Sequence, residues 1–226
     1  MEEYVAGAVA GEIKNDWPRE ALKAQAILAR TFTLYKMGKG KTPHGTDAST
    51  DPEEFQAYNP ANINDNIRAA VRETRGLVMT YDGKPIRAYF HSCSGGKTAT
   101  AEEGLDFREE PTPYLKMVSD PPCPDPSKER WSATFSKAEV LAALHKLGVN
   151  LTDFSAVRVA ARGPSGRATR LAFDVATVSA PALRTALGPE RMRSTLLESV
   201  RVTGDSVVMR GRGWGDGVGM SQFGVL

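Results

Sequence analysis

The chain has 226 residues, 41% of them hydrophobic and 25% charged, which excludes wholesale disorder, collagen, coiled-coil and low-complexity classes. At this length a chain buries roughly 70–75% of the surface its unfolded form exposes, enough for a core without covalent staples. Lysine and arginine number 29 against 27 acidic residues, and the resulting charge of +2 argues for neither a nucleic-acid nor a membrane partner.

No run approaches the roughly 18 consecutive apolar residues of a bilayer span, so the chain as given reads as soluble. Its start, Met1-Glu2-Glu3-Tyr4, lacks a basic segment ahead of an apolar run, so an export signal is absent or was removed with upstream sequence. Small and apolar residues without alternation predict a short buried helix from Tyr4 to Ile13, ending near Lys14. Trp17-Pro18 restarts the chain, and Ala21 to Tyr35 predicts a second helix stopped by Gly38. Leu22, Ala26, Ala29 and Thr33 share one face of it, while Gln25 and Arg30 fall outside that stripe. Residues 38–66, rich in Gly, Thr, Pro, Asp and Asn, predict a long surface excursion. Ile63, Ile67, Ala70, Val71 and Thr74 have helical spacing, closed by Gly76. Leu77–Tyr81 and Ile86–Cys93 read as strands of a hairpin turning at Asp82-Gly83.

A proline-rich polar stretch follows Ser94-Gly95-Gly96-Lys97-Thr98 as far as Pro126. Ser136 with Glu139 is a capping-box pattern ahead of Val140, Leu141, Leu144 and Leu147, with Gly148 as the stop. Val157–Ala161 and Arg170–Ala176 predict paired strands, Ser179–Leu187 a short capped helix, and Leu197–Val202 with Ser206–Arg210 a last hairpin over Gly204-Asp205. The class is α+β, mixed helices and antiparallel hairpins around a substrate cleft, in a single domain over 1–226 with a lobe boundary conceivable near Pro126.

Glu12, set among Val9, Ala10, Gly11 and Ile13, is the first candidate for chemistry. Poor hydration raises a carboxyl pKa and keeps the group protonated, as a general acid requires. The competing reading is a solvated helix residue. The Ser94–Thr98 loop has glycines that let backbone N–H groups approach a ligand, but it lacks phosphate-loop spacing, and an ordinary tight turn competes. Five glycines between Gly211 and Gly219 impose either a specific backbone path or a close ligand, against a loose tail. His91, Cys93 and Cys123 offer three soft metal ligands without a zinc-type spacing, and His44, Asp47 and Asp51 an oxygen-rich group that reads equally as a solvated loop. The two cysteines fit one bridge or two unrelated thiols. No Gly-x-Ser-x-Gly elbow is present.

The order of several segments is informative. Tyr4 to Ile13, Trp17-Pro18, Glu20 to Ala26, Ala29-Arg30-Thr31, Gln56-Ala57-Tyr58, Tyr89 to Thr98, Pro113-Tyr114-Leu115 and Gly217 to Gly224 together resemble the SpoIID/LytB family, stage II sporulation protein D and relatives, over nearly the whole chain. The resemblance implies a peptidoglycan lytic transglycosylase that cuts the MurNAc-β-1,4-GlcNAc bond, leaves 1,6-anhydro-MurNAc ends and acts on peptide-stripped glycan in sporulation members. It places the catalytic carboxyl at Glu12. One carboxyl suffices there, because the sugar's own C6 hydroxyl closes the ring, whereas ordinary glycosidases need two. Gln25, Arg30, Ser94, Gly95, Gly96, Thr98, Tyr114, Ser221 and Gln222 are expected to shape the sugar cleft.

No metal or other cofactor is carried over. The zinc site of some sporulation members precedes the Gln-x-Tyr match, and here that segment has His44 and no cysteine. Asp216 stands where relatives commonly have histidine, which leaves a second acid, and hydrolysis, open. The exported habit of the family and the flanking loops imply a Cys93–Cys123 disulfide. Expected partners are glycan strands and a cell-wall amidase, with no nucleic acid, and a membrane only through a segment not in this chain; the location is extracytoplasmic. The rival reading is a non-catalytic amidase enhancer or glycan-binding module, and a third is a scaffold within a wall-remodelling assembly.

Overall fold

A computed structural model describes residues 1–52 and 54–226; Glu53, inside the predicted 38–66 excursion, lies outside the described residues. The architecture is α+β. It comprises two compact units, Met1–Tyr89 with Val225–Leu226, and Phe90–Gly224. The division falls after Tyr89, whereas Pro126 lies inside the second unit.

In the first unit, α1 (Glu2–Glu12) has Val5 through Ala10 all buried, so no face of its middle turns to water. It packs on α2 (Arg19–Met37), a 3-10 turn (Pro60–Asn62) and α3 (Asp65–Glu73). The link between α1 and α2 is fastened to the start of α3 by asparagines. Asn64 and Asn66 donate to the Asn15 carbonyl at 3.0 and 3.4 Å, and Asn15 donates to the Asn62 carbonyl at 3.0 Å. Asn64 also caps α3, its Oδ1 accepting from the Ile67 N–H at 2.9 Å.

The predicted hairpin shrinks to β1 (Thr80–Tyr81) and β2 (Lys84–Pro85), two residues each. Asp82 and Gly83 have φ of +48° and +75°, as a tight two-residue turn requires. Pro85 has no N–H to extend the ladder. Phe90 and His91, expected in the returning strand, instead form β3 of the second unit.

There, β3 (Phe90–His91) precedes α4 (Ala101–Leu105), α5 (Pro126–Glu129), β4 (Arg130–Ser136) and α6 (Lys137–Lys146). Then come β5 (Val157–Arg162), β6 (Ala168–Phe173), β7 (Ala176–Ser179), α7 (Ala180–Leu187), β8 (Leu197–Thr203), β9 (Ser206–Arg212) and β10 (Met220–Ser221). The predicted strand Arg170–Ala176 is divided between β6 and β7 by a turn at Asp174, where φ is +41°. Two three-stranded antiparallel sheets, β4-β9-β8 and β5-β6-β7, and one parallel pair, β10-β3, result. The capping box of α6 forms as predicted: Ser136 Oγ accepts from the Glu139 N–H at 3.2 Å, and Glu139 Oε2 from the Ser136 N–H at 2.7 Å.

The core of this unit collects Phe135, Leu144, Phe154, Leu171, Phe173, Leu183, Met192 and Met209 from both three-stranded sheets, α6, α7 and loops. Phe154 meets Phe173 edge to face, ring centroids 5.1 Å apart. Burying each such side chain contributes about 1.5–3 kcal/mol, so this cluster fixes the scaffold on which the glycine-rich loops are mounted.

Candidate functional site

Glu12 closes α1 and is half-buried. Its position follows from two glycines one turn apart. A Cβ on Gly11 would stand 2.6 Å from the Ala57 carbonyl carbon and 2.7 Å from Tyr58 N, and a Cβ on Gly7 would stand 2.1 Å from the Tyr58 ring. Bare glycine faces therefore let the Gln56-Ala57-Tyr58 segment lie directly on the helix. The Asn59 N–H donates to the Gly7 carbonyl at 2.9 Å, Tyr58 stacks on Tyr4 at 5.6 Å, and Gln56 Nε2 donates to Thr33 Oγ1 of α2 at 3.0 Å. Laid there, the segment presents the Ala57 N–H to Glu12 Oε1 at 2.7 Å.

Two influences on that carboxyl oppose each other. Burial raises its pKa above the ordinary carboxylate value, and the Ala57 N–H, which favours the charged form, holds it down. The C-terminal end of α1, rich in carbonyl partial charge, also disfavours a carboxylate there. Burial, rather than a neighbouring carboxylate, is the main cause of the shift.

Gln25 and Arg30 share the first unit with Glu12, both buried in α2. Arg30 was expected to meet sugar, but its donors serve the protein. Nε and Nη2 clasp the Glu2 carboxylate at 3.2 and 2.6 Å, Nη1 donates to the Leu77 carbonyl at 3.1 Å, and Nη2 to the Val71 carbonyl at 3.3 Å. The guanidinium ties α1, α2 and α3 together, which is why a charged residue sits among the apolar neighbours of that helix.

Ser94, Gly95, Gly96, Thr98, Tyr114, Ser221 and Gln222 belong to the second unit. The serine and threonine hydroxyls in this group are committed inside the protein. Ser94 Oγ donates to Asp120 and accepts from the Gly96 N–H at 3.0 Å. Thr98 Oγ1 donates to the Lys116 carbonyl at 3.0 Å and accepts from the Val118 N–H at 2.9 Å, and Ser221 Oγ accepts from the Gly224 N–H at 3.2 Å. The Gln222 backbone N–H donates to the His91 carbonyl at 2.8 Å, continuing the β10-β3 pairing. Tyr114 is half-buried, between two residues, Pro113 and Leu115, that help line a groove of about 650 Å³ with Phe107, Arg108 and Lys116.

The glycine-rich run from Gly211 is no loose tail. Cys93 and Trp214 exchange backbone hydrogen bonds at 2.9 and 2.8 Å, and the Ala99 N–H donates to the Gly217 carbonyl at 2.7 Å. Gly213, at φ +76°, passes so close that a Cβ would stand 2.7 Å from the Cys93 carbonyl oxygen, while one on Gly217 would meet the Arg167 guanidinium at 2.2 Å. The glycines serve close approach of protein to protein.

Arg167 is the residue that sequence reasoning missed. Fully buried, it donates to the Lys97 carbonyl at 2.8 Å and the Ser94 carbonyl at 2.6 Å, so it holds both ends of the Ser94–Lys97 turn. Burial lowers its pKa, against the nearby charges of Glu103 and Asp216. Glu103 is buried as well, accepting from Ser165 N at 3.0 Å and Ser165 Oγ at 2.6 Å. Nothing in the pattern around Gly166-Arg167 separates it from the many exposed arginines. Asp216, the departure from the family pattern, accepts from the Val218 N–H at 2.7 Å and so shapes its own turn.

His91 is buried with Nδ1 3.0 Å from the Val218 carbonyl, so Nδ1 carries the proton and the neutral ring leaves Nε2 without a hydrogen bond among the described residues. Burial lowers its pKa. The implied disulfide is not formed: Cys93 and Cys123 are free thiols. Burial, helped by hydrogen bonding with Cys123, pushes the Cys93 thiol up. Among the described residues no helix is long and apolar enough to cross a membrane.

Comparison with known proteins agrees with this division of the chain. A family model described as stage II sporulation protein matches residues 1–81, and one described as a domain of unknown function, DUF8618, matches residues 123–219. The stage II sporulation protein D of Bacillus subtilis is 34% identical over 239 residues, covering 99% of this chain and 67% of its own length. An uncharacterized protein of Brachyspira hyodysenteriae is 34% identical over 227 residues, covering 99% of this chain and 60% of its own. A Bacillus subtilis protein named amidase enhancer is 26% identical over 267 residues, covering 96% of this chain and 36% of its own.

Proposed function

The chain belongs to the stage II sporulation protein D family, and from that premise we propose that it is a peptidoglycan lytic transglycosylase acting on peptide-stripped glycan strands outside the cytoplasm. The observation that carries the reading is Glu12, a half-buried carboxyl at the end of a rigid helix with one oxygen fixed by the Ala57 N–H. Burial favours the neutral acid that a proton donor needs, and the Ala57 N–H offsets part of that preference.

In the proposed reaction Glu12 gives its proton to the glycosidic oxygen as the bond to the muramyl C1 breaks. The resulting carboxylate takes the proton of the C6 hydroxyl, whose oxygen bonds to C1 and closes the 1,6-anhydro ring. No water is consumed, and the carboxyl ends as it began. A hydrolase would need a second carboxylate to activate water or form a covalent sugar.

The test is mass analysis of peptide-free glycan after incubation with the protein. Anhydro ends are expected, and Glu12→Gln, whose amide oxygen can still accept from Ala57, is expected to abolish them while keeping the wild-type melting curve. Reducing ends would replace the reading with hydrolysis. Full cleavage by the folded Glu12→Gln protein would refute the role of Glu12.

A second reading has its own support in the similarity to the protein named amidase enhancer across 96% of this chain. There the protein binds wall or a cell-wall amidase without cutting glycan, and the same digestion yields no product. The chain spans 60–67% of the length of the sporulation protein and the Brachyspira relative, so the activity and partners of a whole relative come to it as part of this proposal.

A further inference from the structure

Cys93, Cys123 and Glu129 converge in the second unit. One side-chain atom of each, two sulfurs and a carboxylate oxygen, all lie within 4.8 Å of one another. Cys93 Sγ stands 3.8 Å from Glu129 Oε2, and the Cys123 N–H donates to the same oxygen at 3.3 Å. The grouping is held by backbone. Cys93 is paired in both directions with Trp214, and the Glu129 carbonyl accepts from the Gly213 N–H at 2.8 Å, so two adjacent residues of the glycine run position two of the three groups. Trp214 is itself clamped, with Lys128 Nζ 3.7 Å and the Arg193 guanidinium 4.1 Å from its ring centre.

We propose that Cys93, Cys123 and Glu129 form a binding site for one thiophilic divalent cation of the zinc class, with water in the fourth position. A tetrahedral zinc with Zn–S near 2.3 Å sets its sulfurs roughly 3.8 Å apart, a spread this grouping reaches with little movement. The carboxylate decides between the uses of two neighbouring thiols. A disulfide, with sulfurs about 2.05 Å apart, gains nothing from an anionic oxygen beside it, whereas a cation gathers two thiolates and a carboxylate. Binding releases the two thiol protons to solvent. The cation and three anionic ligands leave one negative charge, which Lys128 and Arg193 offset. Sequence reading placed His91 with these cysteines. The structure commits its Nδ1 to Val218 and supplies Glu129 instead, so the spacing gave no zinc signature.

The test uses the full chain, reduced and stripped of metal, titrated with Zn²⁺ against a chromophoric chelator. One equivalent is expected to bind. Cys93→Ser and Cys123→Ser are each expected to weaken binding by more than about 100-fold, beyond the 10–100-fold that outer-sphere partners are worth, and Glu129→Gln by on the order of 10-fold. Co²⁺ in place of zinc is expected to give a thiolate charge-transfer band that Cys123→Ser weakens while the far-ultraviolet dichroism is retained. Absence of stoichiometric binding by the folded, reduced protein overturns the proposal. So does unchanged affinity in Cys123→Ser, or a Cys93–Cys123 bridge in protein isolated with zinc and without added oxidant.

Discussion

Replacing Gly11 by alanine tests the link between the helix surface and the carboxyl that ends it. The new Cβ would meet backbone atoms at 2.6–2.7 Å where ordinary contact begins at 3.4 Å, so the Ala57-Tyr58 backbone must retreat by about 0.8 Å. That retreat carries the Ala57 N–H from 2.7 Å toward about 3.5 Å from Glu12 Oε1, beyond a good hydrogen bond. Overpacking costs about 1–3 kcal/mol and the weakened charge-assisted bond about 1–2 kcal/mol, while alanine in a helix returns about 1 kcal/mol. The net expectation is a loss of about 1–4 kcal/mol, each kcal/mol worth roughly 4–8 °C in melting temperature for a unit of this size. Urea and thermal unfolding measure the loss. Carbon NMR of labelled glutamate reads the second consequence, a Glu12 pKa higher than in the wild type because burial acts unopposed. At Gly7→Ala the nearest atoms belong to the Tyr58 ring rather than to backbone, so the Glu12–Ala57 hydrogen bond is expected to be affected less than in Gly11→Ala. A Gly11→Ala protein as stable as the wild type, with Glu12 titrating unchanged, would refute the argument.

Arg30→Met strands the Glu2 carboxylate and the Leu77 carbonyl and leaves the Val71 carbonyl to Thr74 Oγ1 at 3.3 Å, an expected loss of about 3 kcal/mol in urea unfolding. Adding Glu2→Gln removes the stranded charge and is expected to recover part of that loss, and strict additivity would show the pair to be uncoupled. For His91 the sign follows from burial. With its folded pKa below 6.5, the unfolded chain takes up the proton first, so stability is present above about pH 6.5 and is lost as pH falls from there through the folded value. Asparagine keeps an N–H for the Val218 carbonyl and removes the titration, so the stability of His91→Asn is expected to fall less than that of the wild type between about pH 6.5 and 5. Parallel curves would exclude His91 as the source.

The helices were legible because their signals are local: the Ser136/Glu139 box, Pro18 at the start of α2, and a run of small apolar residues for α1. Glu12 stood out for the same reason, as an acid in an apolar stretch. What the pattern could not show was long-range. Phe90-His91 looks like the far arm of a hairpin, yet its partner is Met220-Ser221. Arg30 stands out in an apolar helix while Arg167 follows an ordinary Pro-Ser-Gly turn, and only the fold shows that each donates to carbonyls of distant segments. The terminal glycines announced a constrained path, but whether for a ligand or for neighbouring backbone depended on Cys93, His91 and Arg167, all far upstream. Glu129 carries no local mark, and it becomes a candidate ligand only because Gly213 and Trp214 bring it beside Cys93.

The pairing of the 90–99 stretch with the glycine run also bears on how the protein is made. His91 and Val218 are 127 positions apart, so a nascent chain displays the imidazole and the Ser94–Thr98 turn long before their cover leaves the ribosome. Closing so wide a loop carries a substantial entropic cost and slows assembly. The second unit therefore closes only once Gly217 and Val218 have been made. A ribosome that stalled ahead of Gly211 would release a product with the Cys93 strand and the Arg167 guanidinium uncovered, a species prone to aggregate and open to proteases.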